Sequence, residues 1–206
     1  MNTLNRRAFL NKSALSLGSV VLGSAVLGSS CKSRKENPVA TLSGNIDCNN
    51  MGTTLMHEHI LWFAGPMEEN AGYRPIPDDL ESETVDFAVS LLNDAARVGI
   101  ETVVDLTPFR PIKLYARIAE RTLVNIIAST GFYRRSKVPK WMADMDDEKQ
   151  MEERMLKELT DGIDDTKIRA GIIKVAGEGG TDWEKKTFRA AALVNKAIGT
   201  PIATHS

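Results

Sequence analysis

Cysteine and histidine are both scarce in this chain. Of 206 residues only Cys31 and Cys48 are cysteine, and Cys31 falls in a leader segment described below, so Cys48 stands alone and no intrachain disulfide is expected. Cys48 itself reads as a small packed residue with no catalytic role. Charge of either sign is not in excess: the formal net charge is −1, which gives no footing for a nucleic-acid partner, and the mixing of charges along the chain gives none for a polyanion or a membrane surface. Hydrophobic content of 42% is that of an ordinary globular protein. What is scarce is therefore worth locating, and the three histidines are His57, His59 and His205.

The first 31 residues do not read as part of a fold. Asn5-Arg6-Arg7-Ala8-Phe9-Leu10-Asn11-Lys12 resembles a twin-arginine export signal and is followed by an apolar, small-residue stretch over 14–27. The stretch ends at Gly28-Ser29-Ser30-Cys31, similar to a lipoprotein processing site at which Cys31 becomes the lipidated first residue. Ordinary cleavage nearby and an uncleaved anchor are the alternatives. The expected location is the periplasm, or the cell envelope through a lipid on Cys31. Residues 32–44 read as a polar tether, and 45–206 as the folded part.

From there strand and helix patterns alternate. Strands are expected over 52–59, 102–106, 125–129, 171–176 and 201–205, and helices over 81–98, 111–121, 146–162 and from the Thr181 cap to Gly199. Val85, Val89, Leu92 and Ala96 mark one helix face, and Met151, Met155 and Leu159 another. Thr181 with Glu184 three residues on is a capping box. Two long loops, over 61–80 and 132–144, are rich in proline, glycine or aromatic residues. With no hairpin signal, five strands and four helices imply βαβ units and a parallel sheet.

The histidines sit where such folds keep their chemistry, at strand carboxyl ends. His57 and His59 stand two apart on a strand and so share a face, which suits them to grip one metal ion. His205 ends another strand. Lys174 lies inside an apolar strand pattern, where burial of the charged form is costly and favours the neutral amine. A neutral amine can take up carbon dioxide and become a two-oxygen carbamate able to bridge two metals. Taken alone, Lys174 would instead pair with Glu178 or line an anion site. Asp105 reads as a supporting carboxylate and not a ligand.

The strings Met56-His57-Glu58-His59, Val104-Asp105-Leu106-Thr107, Ser129-Thr130-Gly131-Phe132-Tyr133, Ile173-Lys174-Val175-Ala176-Gly177-Glu178 and Ile202-Ala203-Thr204-His205 occur in an order and spacing that resembles the phosphotriesterase family of the amidohydrolase superfamily. The resemblance implies an α/β fold, a TIM-type (β/α)8 metal-dependent hydrolase barrel of which the first five strands and four helices are present. It implies two divalent metal ions, zinc first among them, with manganese, cobalt and iron also compatible with such ligands. His57 and His59 would bind the more buried metal, carbamylated Lys174 would bridge, and His205 would bind the more exposed one. A hydroxide between the metals would attack a small-molecule phosphotriester, carboxylic ester or lactone. Trp62, Phe63, Tyr133 and Trp141 are candidates for the substrate pocket, and a homodimer of the full-length protein is compatible with the resemblance.

Two departures from the family pattern accompany these expectations. Strands that would carry a further histidine and an aspartate are not found within 206 residues, a length short of the roughly 250 of a complete barrel, so the chain reads as an incomplete N-terminal portion, inactive by itself, of a full-length enzyme. Pro108-Phe109-Arg110-Pro111 replaces a Gly-Arg-Asp string after the second strand. The rival reading is a non-catalytic exported fragment or binding module that holds no metal.

Overall fold

A computed structural model of the chain describes residues 38–61 and 76–205. The described chain opens with β1 (Pro38–Thr41) and β2 (Gly44–Asp47), then β3 (Thr54–Glu58), α1 (Glu81–Arg97), β4 (Thr102–Asp105) and α2 (Ile112–Ala119). It continues through β5 (Asn125–Gly131), the short α3 (Lys140–Ala143), α4 (Glu148–Thr160), β6 (Ile172–Ala176), α5 (Asp182–Ile198) and β7 (Ile202–His205). β3 to β7 form one all-parallel sheet in chain order, curled into a half-barrel with the helices outside. The expected strands and helices are all present, with ends displaced by no more than a few residues.

The curl separates two apolar layers by simple alternation along each strand. Val103, Ile126, Ala128, Ile173 and Val175 point outward and pack under the helices against Tyr115, Ile118, Met151, Met155, Ala190 and Val194. Their neighbours Val104, Leu106, Ile127 and Ile172 point into the concave side and form a second, smaller cluster with Val39, Met51 and Ala203. Lys174 follows Ile172 by two residues and so belongs to the concave layer.

The antiparallel pair β1 and β2 corrects two sequence expectations, the tether and the absence of hairpins. Residues 38–44 are not a tether; with 45–47 they fold into a floor beneath the sheet, and the remainder of the expected tether, 32–37, lies outside the described residues. Leu42 N–H donates to Ile126 O at 2.8 Å, Arg169 Nη2 reaches Asn45 Oδ1 at 2.8 Å, and Gly171 lets Ala40 O approach to where a Cβ would stand 2.8 Å away. The hairpin was hidden because its turn, Leu42-Ser43, carries no paired glycine or asparagine signal of the usual two-residue type.

Candidate metal centre

β3 brings His57 and His59 to the carboxyl end of one outer strand of the sheet. The pairing of β3 with β4 shifts between Leu55, opposite Val103, and Glu58, opposite Asp105, so Met56 and His57 together face the single residue Val104. This β-bulge re-aims the strand end. Met56 lines the same concave space as Val104 and Ile127, and the two imidazoles still meet edge to face with ring centres 5.6 Å apart.

The next strand supplies the support for this pair. Asp105 is wholly buried and accepts three hydrogen bonds: Ile60 N–H at 2.7 Å and the Tyr115 hydroxyl at 2.8 Å on Oδ2, and Thr107 N–H at 2.8 Å on Oδ1. Burial and then the Asp105 charge push the Tyr115 phenol well above its ordinary range, so it stays a donor. Thr107 Oγ1 lies 2.9 Å from His59 Nδ1. With Nδ1–H donating to that oxygen, Nε2 is the ring nitrogen that keeps its lone pair, an orientation of the kind that metal-binding histidines use.

Lys174 is the most telling side chain of the cluster. It is 0% exposed, and its Nζ has no hydrogen-bond partner among the described residues. Desolvation lowers its pKa. The ion pair with Glu178 that the sequence allowed is not formed, because Glu178 pairs with Arg134. Desolvation also lowers the pKa of all three histidines. For His57 the charges of Lys174 and His205 add to this, for His59 those of His57 and Lys174 do so against an opposing Asp105, and for His205 those of Arg134 and Lys174. Those mutual influences place His57, Lys174 and His205 within electrostatic reach of one another, and they favour the neutral imidazole that ligates metals.

At the other outer strand, His205 Nε2 accepts from Arg134 Nη2 at 2.9 Å, and the Tyr133 ring stands edge-on 5.3 Å from the imidazole. Tyr133 is therefore at the site. Trp141 is not: α3 turns it outward, where it is 54% exposed, lies 5.3 Å from the Arg154 guanidinium and lines a separate cleft of about 320 Å³ with Pro108, Arg110 and Glu158. Trp62 and Phe63 lie outside the described residues. The Pro108–Pro111 loop is held by two arginines, the buried Arg110 donating to the carbonyls of Thr107 and Ser129, and the partly buried Arg154 to those of Pro108 and Gly131. Among the described residues no three His, Cys, Asp or Glu side chains converge on one point. The cluster depends on its lysine, because His57 and His205 stand on strands at opposite sides of a five-stranded sheet.

Residues 37–206 match the profile of the Phosphotriesterase family. The chain belongs to that family. Among its phosphotriesterase-family relatives, a phosphotriesterase homology protein of Mycobacterium tuberculosis is 34% identical over 81% of this chain and 53% of its own length. An aryldialkylphosphatase of Saccharolobus solfataricus is 29% identical over 79% of this chain and 52% of its own. The chain thus spans about half the length of these curated relatives. A solved structure described as "Molecular Engineering of Organophosphate Hydrolysis Activity from a Weak Promiscuous Lactonase Template" superposes with a TM-score of 0.70 at 30% identity, covering 82% of this chain and 55% of that one. The fold is that of phosphotriesterase-like and lactonase-like hydrolases. Thr107, Tyr115 and Arg134, which the sequence did not single out, join the site through contacts between strands that no local pattern announces.

Proposed function

We propose that the protein is a metal-dependent hydrolase of small phosphotriesters, carboxylic esters or lactones, whose centre is built on His57, His59, Lys174 and His205. The observation that carries this reading is the buried, unpartnered Nζ of Lys174 beside histidines whose pKa values are held down. An amine in that position costs stability and has no hydrogen-bond partner among the described residues, which suits a residue kept for modification. As a carbamate, Lys174 would offer oxygen ligands, and the imidazoles would offer nitrogen ligands of a type that zinc accepts. Divalent metals bound there would supply Lewis acidity toward the scissile group and make water a competent nucleophile near neutral pH. The chain's own part is to hold His59 in one tautomer through Thr107, to favour the neutral form of Lys174 by excluding water, and to close one side of the site with Tyr133.

The export signal read over 1–31 extends the proposal to a periplasmic or envelope-anchored enzyme. The test of the catalytic reading is zinc content by elemental analysis, together with hydrolysis of an aryl phosphotriester, an aryl ester and a lactone, in the wild type and in Lys174→Met. About two zinc ions per protein and turnover of at least one substrate, both lost in Lys174→Met, are expected. A wild type that takes up no metal in the presence of bicarbonate would sink the reading and favour the non-catalytic rival.

A further inference from the structure

The three arginines near the carboxyl ends of the strands are used differently. Arg110 and Arg154 donate to main-chain carbonyls and hold loops together. Arg134, the residue after Tyr133, meets only side chains of the site among the contacts described: Nη2 donates to His205 Nε2 at 2.9 Å, the guanidinium lies 5.4 Å from the Tyr133 ring centre, and Glu178 pairs with it. Its Nε is buried and has no hydrogen-bond partner among the described residues. The side chain is 27% exposed, so it stands at the boundary between the site and solvent.

We propose that Arg134 is a specificity-determining residue that clamps a carboxylate on the substrate, so that the preferred substrates are esters or lactones carrying a free carboxylate. This rests on the hydrolase reading above. A planar guanidinium presents parallel donors that match a carboxylate, and such charge-assisted pairs are the stronger kind of hydrogen bond. Glu178 is the internal carboxylate that already meets this guanidinium, through Nη2. Its side chain is 47% exposed, and an ion pair open to water is weakly held, so an incoming carboxylate can displace it. His205 Nε2 has a single lone pair. When it ligates a metal it no longer accepts from Arg134, and once Glu178 is displaced as well Nη2 is available together with Nε, which has no hydrogen-bond partner among the described residues.

The experiment uses the zinc-loaded protein, with zinc content measured on the same sample. Titration calorimetry compares N-methylsuccinamate with its uncharged counterpart N,N′-dimethylsuccinamide. The carboxylate should bind about tenfold more tightly to the wild type. Arg134→Gln should bring the two affinities together, Arg134→Lys should restore part of the difference, and Glu178→Gln should widen it by removing the competing carboxylate. Equal affinities in zinc-loaded wild type, or a preference that survives Arg134→Gln, would overturn the clamp and leave the hydrolase reading standing. A wild type without zinc would overturn both.

Discussion

Both oxygens of Asp105 are committed, Oδ1 to Thr107 N–H and Oδ2 to Ile60 N–H and the Tyr115 hydroxyl. The carboxylate thereby fixes the backbone just after His59 and the threonine that touches its ring. Asp105→Ala would leave three donors in a dry interior and is expected to cost about 3 kcal/mol or more in urea unfolding. Tyr115→Phe removes one hydrogen bond and is expected to cost about 1 kcal/mol. Much of this level was legible in the sequence. The His57-x-His59 spacing, the apolar setting of Lys174 and the strand-end place of His205 are local patterns, and the supporting role of Asp105 follows from its strand-end position. Arg134 was not legible, because its partners His205 and Glu178 come from other βα units and nothing in its own neighbourhood distinguishes it from Arg135 beside it. Trp141 misled for the related reason that an aromatic in a loop after a strand can turn either way, and here Arg154 holds it on the outer side.

At the level of elements, close approach of strands sets the height of the site. Gly131 ends β5 at a φ of 112°, and a Cβ there would stand 1.9 Å from Lys174 O, the atom that accepts from Phe132 N–H at 2.8 Å. Gly131→Ala is therefore expected to push β6 away at the position of Lys174, costing about 3 kcal/mol or more and abolishing metal uptake. Thermal unfolding and elemental analysis on the same sample check it. α5 starts from the capping box foreseen in the sequence. The carboxylate of Glu184 accepts from the N–H groups of Glu178, Gly179 and Thr181, and the Thr181 bond leads in lowering its pKa against an opposing desolvation. A carboxylate whose folded pKa is depressed adds stability that is present above the unfolded value of about 4.3 and is lost as pH falls through the folded one. Glu184→Gln should accordingly be less stable than wild type at pH 7, with the gap closing below pH 4.3 in a series of urea titrations. The hairpin escaped the sequence reading because four-residue strands show too little alternation to separate from a polar linker. The β3 bulge escaped because two-against-one pairing is a property of the partner strand.

For the whole molecule, the sheet is a half-barrel whose outer strands β3 and β7 carry the two ends of one cluster. Their distance from each other depends on the curl of all five strands, so a ligand that contacts both ends must stabilise the folded form. Zinc at about a hundred times its dissociation constant should add about 2.7 kcal/mol of stability. The expected observation is a higher thermal midpoint with zinc and bicarbonate, reversed by a chelator and missing in Lys174→Met; a midpoint indifferent to metal would contradict it. The parallel strand order was readable from the alternation of periodicities, whereas the curl arises from packing against the helices and the hairpin floor. That floor also sorts the molecule into two poles. Pro38 lines the cavity shared by the amino ends of β6 and β7, while the histidines stand at the opposite, carboxyl ends of the strands. The described fold is thus entered at Pro38 from the pole opposite the histidines, so a change at that point of entry acts on the floor and not on the reactive ends of the strands.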